Sequence, residues 1–302
     1  MRIGLIGTGH WATTVHGRGV VDHPRTELVG VWGRDLSRAQ HAADALGTRA
    51  FEQLLTLVGE VDALTFAVPP DVQATIAASA ARAGKHVLLE KPIATSLTHA
   101  QTLQLAVGQG GVASIVFFTR RFVPELSGWL DELQNTGGWE CGRVEMASAI
   151  FVPGNPFGSS PWRRDKGALW DVGPHALSML IPALGRVQAV TAGAGVRDQV
   201  HLVLQHAERR SSTASLSLTV PPAAAGNAMY VYGEHGRAEA PSARFDTAVA
   251  YRAALDGLLA QVDRGQPGHA CDVHFGAQVV EVLAAAERSL RSGERVELPR
   301  PI

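Results

Sequence analysis

Two side chains in the second half of the chain have the types and spacing needed for proton transfer. Asp171 and His175 are four residues apart in a segment, 169–184, whose pattern predicts a helix, so they project from one face. Oxidation of an alcohol needs a base for the hydroxyl proton while hydride leaves carbon, and imidazole titrates in the useful range. Asp171 would orient the ring or stabilise its cationic form. The alternative is a surface pair or a helix-end interaction.

A lysine follows a predicted strand in the first half of the chain. Lys91 comes shortly after the strand His86–Leu89. Parallel sheets bind ligands at the carboxyl ends of their strands. From there the ammonium group would hydrogen-bond the substrate oxygen and stabilise negative charge that develops on it in either reaction direction. The alternative is a solvated loop lysine, and the position after a strand favours the catalytic interpretation.

A glycine-rich turn follows the first predicted strand, Arg2–Ile6, and opens a helix. The six residues of this turn, all predicted to bind cofactor, are Gly7, Thr8, Gly9, His10, Trp11 and Ala12. They match the dinucleotide fingerprint G-x-G-x-x-G/A in its required context, with the pyrophosphate on the helix N-terminus. Gly7 would allow the tight turn, Gly9 would let the backbone approach the pyrophosphate, and Ala12 would keep the helix close to the sheet. Trp11 would flank the cofactor or cover the sheet edge.

The end of the second predicted strand bears on the choice between NADP and NAD. Gly33 occupies the place where a carboxylate normally binds the adenosine ribose, and Arg34 follows it. A guanidinium is well shaped for a phosphate, so the pair predicts NADP(H) binding through Gly33 and Arg34. NAD remains possible, because Asp35 is an alternative ribose acceptor and Arg34 is then a solvated turn residue.

The first third of the chain alternates strand-length apolar runs with helix-length segments. The predicted strands are Arg2–Ile6, Glu27–Trp32, 63–67, His86–Leu89 and 112–118. Ser37 is predicted to cap a helix that ends near Gly47, and Pro69 with the next two residues opens another that Gly84 ends. The alternation predicts an α/β Rossmann domain with a doubly wound parallel sheet.

Beyond residue 118 the pattern changes to consecutive strands. The predicted strands there are Val187–Ala194, 200–205, 213–220 and 228–232, and two helices, 248–263 and 273–291, follow them. Strands without intervening helices favour an antiparallel sheet. We therefore expect a dinucleotide-binding domain over residues 1–120 and an α+β domain over residues 121–302.

Composition limits the classes of partner. The chain has 302 residues and a formal net charge of -1, so no global field attracts nucleic acid or an anionic membrane, and small-molecule chemistry is favoured. Its two cysteines, Cys141 and Cys271, are too few for a disulfide framework and lack the paired spacing of a zinc site. Apolar runs are too short for a signal peptide or a membrane span. We expect a cytoplasmic protein without a metal site.

Several motifs occur in a fixed order along the whole chain. Besides the glycine turn they are Ala67-Val68-Pro69-Pro70, Gly84-Lys85-His86-Val87, Leu88-Leu89-Glu90-Lys91-Pro92, Arg120-Arg121-Phe122, Trp162-Arg163, Asp171-Val172-Gly173-Pro174-His175, 284–289 and 293–296. This ordered set resembles the glucose-fructose oxidoreductase, inositol dehydrogenase and rhizopine-catabolism (Gfo/Idh/MocA) oxidoreductase family. The resemblance implies a Rossmann domain followed by an α+β domain with an open, mostly antiparallel sheet that often mediates formation of a homo-oligomer, a dimer or a tetramer.

The resemblance also implies roles for individual residues. Lys91 would sit near the nicotinamide and the substrate hydroxyl, and Asp171 and His175 would complete the site. The further positions predicted to border the cofactor are Val68, Pro69, Glu90, Trp162 and Arg163. The last two would close over the nicotinamide, bind a polar substrate, or simply pack together.

Two positions depart from the family's pattern. Gln73 stands where many relatives carry histidine, so any contact made by that ring is absent or replaced. The glycine-rich run before the catalytic helix appears as Asp165-Lys166-Gly167-Ala168, with charges where small residues are common. We therefore expect the segment that covers the site to differ there.

The resemblance implies a dehydrogenase or reductase that acts on a sugar, polyol or related cyclic hydroxyl or ketone, and Gly33 with Arg34 favours NADP(H). One alternative is a dinucleotide-dependent sensor or regulatory protein without turnover. Another is an enzyme that uses tightly held NAD(P) transiently, as a redox-assisted glycosidase or a transhydrogenase. The presence of Lys91, Asp171 and His175 argues against the sensor.

Overall fold

A computed structural model describes residues 1–242 and 246–299. These residues divide into two compact units, the first built from 1–123 and 246–277 and the second from 124–242 and 278–299. The single boundary expected near residue 120 therefore differs from this division, because residues 246–277 belong to the first unit.

The strands are β1 (Arg2–Ile6), β2 (Glu27–Trp32), β3 (Arg49–Phe51), β4 (Ala63–Phe66), β5 (His86–Leu89), β6 (Ser114–Val116), β7 (Trp139–Ala147), β8 (Val187–Ala194), β9 (Val200–His206), β10 (Ser211–Ser217), β11 (Gly226–Gly233), β12 (Gly236–Glu239) and β13 (Val296–Glu297). The α-helices are α1 (Arg18–Asp22), α2 (Leu36–Leu46), α3 (Leu54–Glu60), α4 (Pro70–Arg82), α5 (Leu97–Gly110), α6 (Pro124–Thr136), α7 (Pro161–Asp171), α8 (Gly173–Leu184), α9 (Thr247–Arg264) and α10 (Val273–Ser292). Residues Ala12–Gly17 form a π-helix, and Thr119–Phe122, Ala207–Arg209 and Pro222–Ala224 are short 3-10 helices.

The first unit contains a six-stranded parallel sheet in the order β3-β2-β1-β4-β5-β6. Strand β4 is buried at every position, and β1 is buried at all but its first, as expected for strands of a parallel sheet covered on both faces. The strand order reverses between β1 and β4, and ligands of doubly wound sheets bind at such a switch point. The predicted Rossmann domain is confirmed.

Helix α2 ends as predicted, but its N-cap lies two residues earlier than predicted. The side chain of Asp35 accepts a hydrogen bond from the backbone N–H of Arg38 at 3.1 Å and caps the helix. Ser37 lies inside the first turn, so its prediction as the cap is wrong. Gly47, with φ of +67°, ends the helix in the left-handed conformation that glycine favours.

Helix α9 completes the core of the first unit. Its side chains Tyr251, Ala254, Leu255 and Leu258 are fully or almost fully buried. The hydroxyl of Tyr251 lies 2.7 Å from the hydroxyl of Thr65 on β4. A segment late in the chain is thereby part of the first unit.

The second unit contains a seven-stranded sheet in the order β12-β11-β7-β10-β9-β8-β13. Among the described strands, β10 pairs parallel to β7, and the other neighbours pair antiparallel. The predicted α+β domain with a mostly antiparallel sheet is confirmed. Strand β7 was not predicted, because its inward positions include Gly142 and only Val144 and Met146 give an apolar alternation. At Gly142 an added Cβ would lie 2.9 Å from a side-chain carbon of Leu184 on α8, so glycine permits the helix to pack there.

Candidate functional site

The glycine turn lies at the carboxyl end of β1 and has the geometry its sequence predicts. Gly7 has φ of +135°, donates its N–H to the carbonyl of Trp32 at 2.9 Å, and an added Cβ would lie 2.5 Å from the carbonyl oxygen of Ala67. Only glycine fits this position without strain. Around Gly9, by contrast, no described atom lies within 4 Å of an added Cβ, so its backbone is open to a ligand. Ala12 is fully buried and keeps the following helix close to the sheet.

The helix after this turn begins with a π-helical segment, Ala12–Gly17. The hydroxyls of Thr13 and Thr14 donate to the carbonyl of His10 at 3.1 and 2.7 Å. His16, in the middle of the segment, is completely buried. Segments of this kind occur often at functional sites.

The end of β2 lies beside the glycine turn. A Cβ added at Gly33 would lie 2.5 Å from the methyl carbon of Thr8, so a side chain at position 33 needs Thr8 to move. Arg34 is exposed, whereas Asp35 is engaged as the cap of α2. A cleft of about 310 Å³ opens here. The residues that line it are Thr8, Thr13, Arg38, His41, Ala42 and Ala45.

Arg38 and His41 were not identified from the sequence. They are three residues apart on α2 and line the same cleft as Thr8. The sequence signal that could have identified them was their spacing of three residues, which places both basic side chains on one face of the helix. This helix follows directly after the strand end that carries Arg34.

The other predicted cofactor positions of the first unit lie at the same edge of its sheet. Val68 and Pro69 follow β4, and Pro69 is the N-cap residue of α4, which begins at Pro70. Glu90 and Lys91 follow β5. The indole N–H of Trp11 donates to Oε1 of Glu90 at 2.7 Å, so the glycine turn is hydrogen-bonded to the residue that precedes Lys91.

Asp171 and His175 lie on two consecutive helices. Asp171 is the last residue of α7, His175 is in the first turn of α8, and Val172 between them has φ of -100° and ψ of -19°. The single helix expected over 169–184 is therefore wrong, because two helices cover this range, with Val172 between them in right-handed helical dihedrals. Gly167, with φ of +62°, also interrupts α7. Pro at position 174 suits the first turn of α8, where no intrahelical N–H bond is required.

Arg163 is an ionic partner of Asp171. Its Nε donates to Oδ2 of Asp171 at 3.1 Å, and the Asp171 residue is only 6% exposed. The same guanidinium carbon lies 4.9 Å from the ring centre of Trp162 and 5.3 Å from that of Phe157. The Trp162-Arg163 pair thus packs together, and through Arg163 it holds a carboxylate of the candidate site.

Lys166 lies in the run 165–168, which differs from the glycine-rich pattern of the family, and it contacts two other side chains. Nζ of Lys166 lies 3.6 Å from Oε1 of Glu287 and 5.7 Å from the ring centre of Trp170. Both contacts lie within the second unit. The contact with Glu287 joins Lys166 to the C-terminal half of α10.

A Rossmann sheet with a glycine turn at its switch point is typical of the class of dinucleotide-binding proteins. Residues 1–118 match a family described as "Oxidoreductase family, NAD-binding Rossmann fold". Residues 139–239 match the "GFO/IDH/MocA C-terminal domain". The chain belongs to the Gfo/Idh/MocA family of oxidoreductases, as the sequence motifs predicted.

Relatives and solved structures agree with this membership. The uncharacterized oxidoreductase sll0816 of Synechocystis is 31% identical over 65% of this chain and 54% of its own length. The dTDP-3,4-didehydro-2,6-dideoxy-alpha-D-glucose 3-reductase of Streptomyces antibioticus is 29% identical over 61% of this chain, and the match spans 57% of that protein. The WlbA dehydrogenase of Bordetella pertussis, solved with NADH and UDP-GlcNAcA, has a TM-score of 0.84 at 23% identity, over 100% of this chain and 99% of its own. At that identity the structural similarity shows the fold.

Hydropathy adds one observation on the helices. Within residues 1–242 and 246–299, no helix has both the length and the apolar character needed to cross a membrane.

Proposed function

We propose that the protein is an NADP-preferring dehydrogenase or reductase that transfers hydride between a nicotinamide and the CH–OH carbon of a sugar, polyol or related cyclic substrate. The observation that carries the proposal is the combination of an open glycine turn with an ion-paired, buried Asp171 near His175 in the sequence, in a chain of an NAD-binding oxidoreductase family. The name of the Streptomyces relative, a 3-reductase of a dTDP-linked sugar, supports a sugar-like substrate. The first unit would hold the dinucleotide and the second would bind the substrate.

The glycine turn fits a dinucleotide. The space around Gly9 is free for a pyrophosphate, and the buried Ala12 keeps the helix N-terminus, which favours negative charge, close to the strand. Val68 and Pro69, at the carboxyl end of β4, would border the same ligand. When bound, a nicotinamide supplies the hydride acceptor in oxidation and the hydride donor in reduction.

The chain's own groups would manage the proton and the charge on the substrate oxygen. His175 would take the hydroxyl proton in oxidation and return it in reduction. Asp171, held by Arg163, would stabilise the imidazolium, since a nearby carboxylate favours the charged ring. Lys91 would hydrogen-bond the substrate oxygen and stabilise the negative charge that develops on it.

The preference for NADP(H) rests on the cleft beside Thr8. We expect Arg34→Ala and Arg38→Ala each to weaken NADP(H) binding more than NAD(H) binding, because only NADP(H) carries a 2′-phosphate. A charge-assisted contact contributes about 1.5 to 3 kcal/mol, or roughly tenfold to a hundredfold in affinity. Fluorescence titration with both cofactors measures this, and Arg82→Ala, an exposed arginine at the end of α4, is the control. Tighter binding of NAD(H) than of NADP(H) by the wild-type protein would overturn the preference.

A carboxylate at position 33 should shift the preference toward NAD(H). The Cβ of Gly33→Asp would lie 2.5 Å from the methyl of Thr8, so the substitution is best made together with Thr8→Ser, which removes that methyl. The new carboxylate accepts hydrogen bonds from a ribose and repels a 2′-phosphate. Thr8→Ser alone is the control.

We propose that the protein forms a homo-oligomer through the open face of the second unit's sheet. Along β9, buried residues alternate with exposed ones, and Val203 is 50% exposed on that face. Tyr232 of β11 is 42% exposed. Light scattering at micromolar concentration should give a dimer or a tetramer, and Val203→Glu should reduce the assembly. The control is Leu55→Glu, a 79% exposed position of the first unit, and a monomeric wild-type protein would contradict the proposal.

The reaction itself is tested by a screen of polyols, sugars and sugar derivatives in both directions, with nicotinamide absorbance followed for each cofactor. Consumption of external NADP(H) at the rate of product formation is the expected result. Binding without consumption would indicate a sensor. Product formed without net cofactor consumption would indicate transient use of a tightly held cofactor.

A further inference from the structure

Hydrogen bonds link a series of buried polar side chains that ends at Glu90, the residue before Lys91. His16, which exposes none of its surface, places Nδ1 at 2.7 Å from the hydroxyl of Thr65 and Nε2 at 3.0 Å from Oε1 of Glu90. The hydroxyl of Thr65 in turn lies 2.7 Å from that of Tyr251. Thr65 and Tyr251 are also fully buried. Buried polar groups are costly unless they are hydrogen-bonded, and each of these is.

With a neutral His16 ring, the donors and acceptors of this series are satisfied in one direction. A carboxylate only accepts, so Nε2 of His16 carries a proton and donates it to Glu90. In the neutral ring Nδ1 then accepts from the hydroxyl of Thr65, whose oxygen accepts from the phenol of Tyr251. Burial raises the pKa of the Tyr251 phenol far above its usual value, so the phenol keeps the proton that it donates. The arrangement delivers one firm N–H donor to Glu90.

Two further N–H groups hold the same carboxylate. The indole of Trp11 donates to Oε1 at 2.7 Å, and the backbone N–H of Lys91 donates to Oε2 at 3.1 Å. The Glu90 side chain is therefore fixed from the glycine turn, from the π-helix and from the adjoining peptide. Removing one of the three donors leaves two, so the carboxylate is held less firmly.

The main chain on both sides of Lys91 is held by Gln73 of α4. Its Oε1 accepts the N–H of Glu90 at 2.8 Å, and its Nε2 donates to the carbonyls of Glu90 at 2.8 Å and Pro92 at 3.3 Å. Gln73 is fully buried. The Gln73 amide therefore fixes the main chain around Lys91. We name His16, Gln73 and Glu90 the lysine cradle.

We propose that His16 is a positioning residue that, through Glu90, fixes the backbone from which Lys91 reaches the substrate oxygen. The inference rests on the proposed function, in which Lys91 stabilises charge on that oxygen. Its basis is the convergence of hydrogen bonds from the π-helix, the glycine turn and α4 on the single residue before Lys91. A lysine on a loosely held turn would lose the geometry that charge stabilisation requires.

Two substitutions of His16 separate its two contacts. In His16→Gln the side-chain amide has the length to donate to Glu90, whereas in His16→Asn the amide reaches only toward Thr65. With a substrate from the screen, we expect His16→Asn to lower kcat by roughly tenfold to a hundredfold, the scale of a misplacement of about 1 Å, with nearly unchanged cofactor affinity. His16→Gln should recover most of the loss. The control is Gln261→Leu, which removes another buried amide of the first unit, bonded to Ser114 and Gly268.

A double-mutant cycle with Lys91→Ala tests whether His16 acts through the lysine. We expect His16→Asn to cause no further loss of kcat in the Lys91→Ala background. An equal loss in both backgrounds, or wild-type kcat in His16→Asn, would overturn the inference. Wild-type kcat in Lys91→Ala would instead overturn the proposed role of the lysine, so the two failures are distinguishable. If His16→Asn does not fold, Trp11→Phe replaces it in the cycle, because it removes a second donor to Glu90 and keeps an aromatic ring.

Discussion

Replacement of His175 by alanine should lower turnover by roughly a hundredfold to ten-thousandfold, the usual contribution of a general acid/base group. The ring would act on the substrate, whereas the dinucleotide would be held by the glycine turn of the first unit, so cofactor affinity should stay unchanged. Steady-state kinetics on a substrate from the screen, with cofactor binding titrated separately, measures both quantities. His201→Ala, an exposed histidine on β9 of the same unit, is the matched control.

Substitution of Asp171, alone and together with His175, tests whether the two residues act together. Asp171→Asn should give an intermediate loss, because the ring remains while support for its cationic form is weakened. Losses that do not add in the double variant with His175→Ala would show that the two groups work as one unit. Near-wild-type turnover in His175→Ala would contradict the assignment and leave Lys91 as the proton donor.

The second large effect is expected at Gly7. Gly7→Ala should lower the free energy of unfolding by about 3 kcal/mol, the upper end of the range for local backbone strain, since φ is +135° and the new Cβ would lie 2.5 Å from the carbonyl oxygen of Ala67. The turn must shift to relieve this contact. Cofactor binding should therefore be lost at concentrations that saturate the wild-type protein.

Gly47→Ala provides the matched control for this substitution. Gly47 also has a positive φ, of +67°, but no described atom lies within 4 Å of an added Cβ. Its cost should be only the left-handed penalty of about 1 kcal/mol, with cofactor affinity unchanged. Chemical denaturation and fluorescence titration of both variants give the comparison. Equal effects of the two substitutions on stability and affinity would show that the close approach at Gly7 is unimportant.

The features that could be predicted from the sequence are those encoded by neighbouring residues. The glycine turn is one, because its three small residues follow a strand and open a helix within a few positions. The motif around Lys91 is another, since its place at a strand end follows from the apolar run before it. Gly47 and Gly84 ended their helices as expected because a left-handed residue is a local requirement.

The features that could not be predicted depend on residues far apart in the chain or on small differences in local geometry. The contact between Thr65 and Tyr251 joins residues 186 positions apart, so no periodicity reveals it. Asp35 and Ser37 are both favourable caps, and only the helix start distinguishes them. The interruption between Asp171 and His175 is marked in the sequence only by Gly173-Pro174, a pair that fits either a new helix start or a kink in one helix.

The late return of the chain to the first unit has a consequence for synthesis on the ribosome. Residues 1–123 carry the whole parallel sheet, yet Tyr251, Leu255 and Leu258 fill part of the same core. The nascent nucleotide-binding unit therefore remains incomplete until α9 has left the exit tunnel, after strands β7 to β12 of the second unit have been made. A fragment that stops at residue 123 exposes this unfilled apolar surface, so we expect it to aggregate or bind chaperones, whereas the full chain should escape them once translation has passed α9.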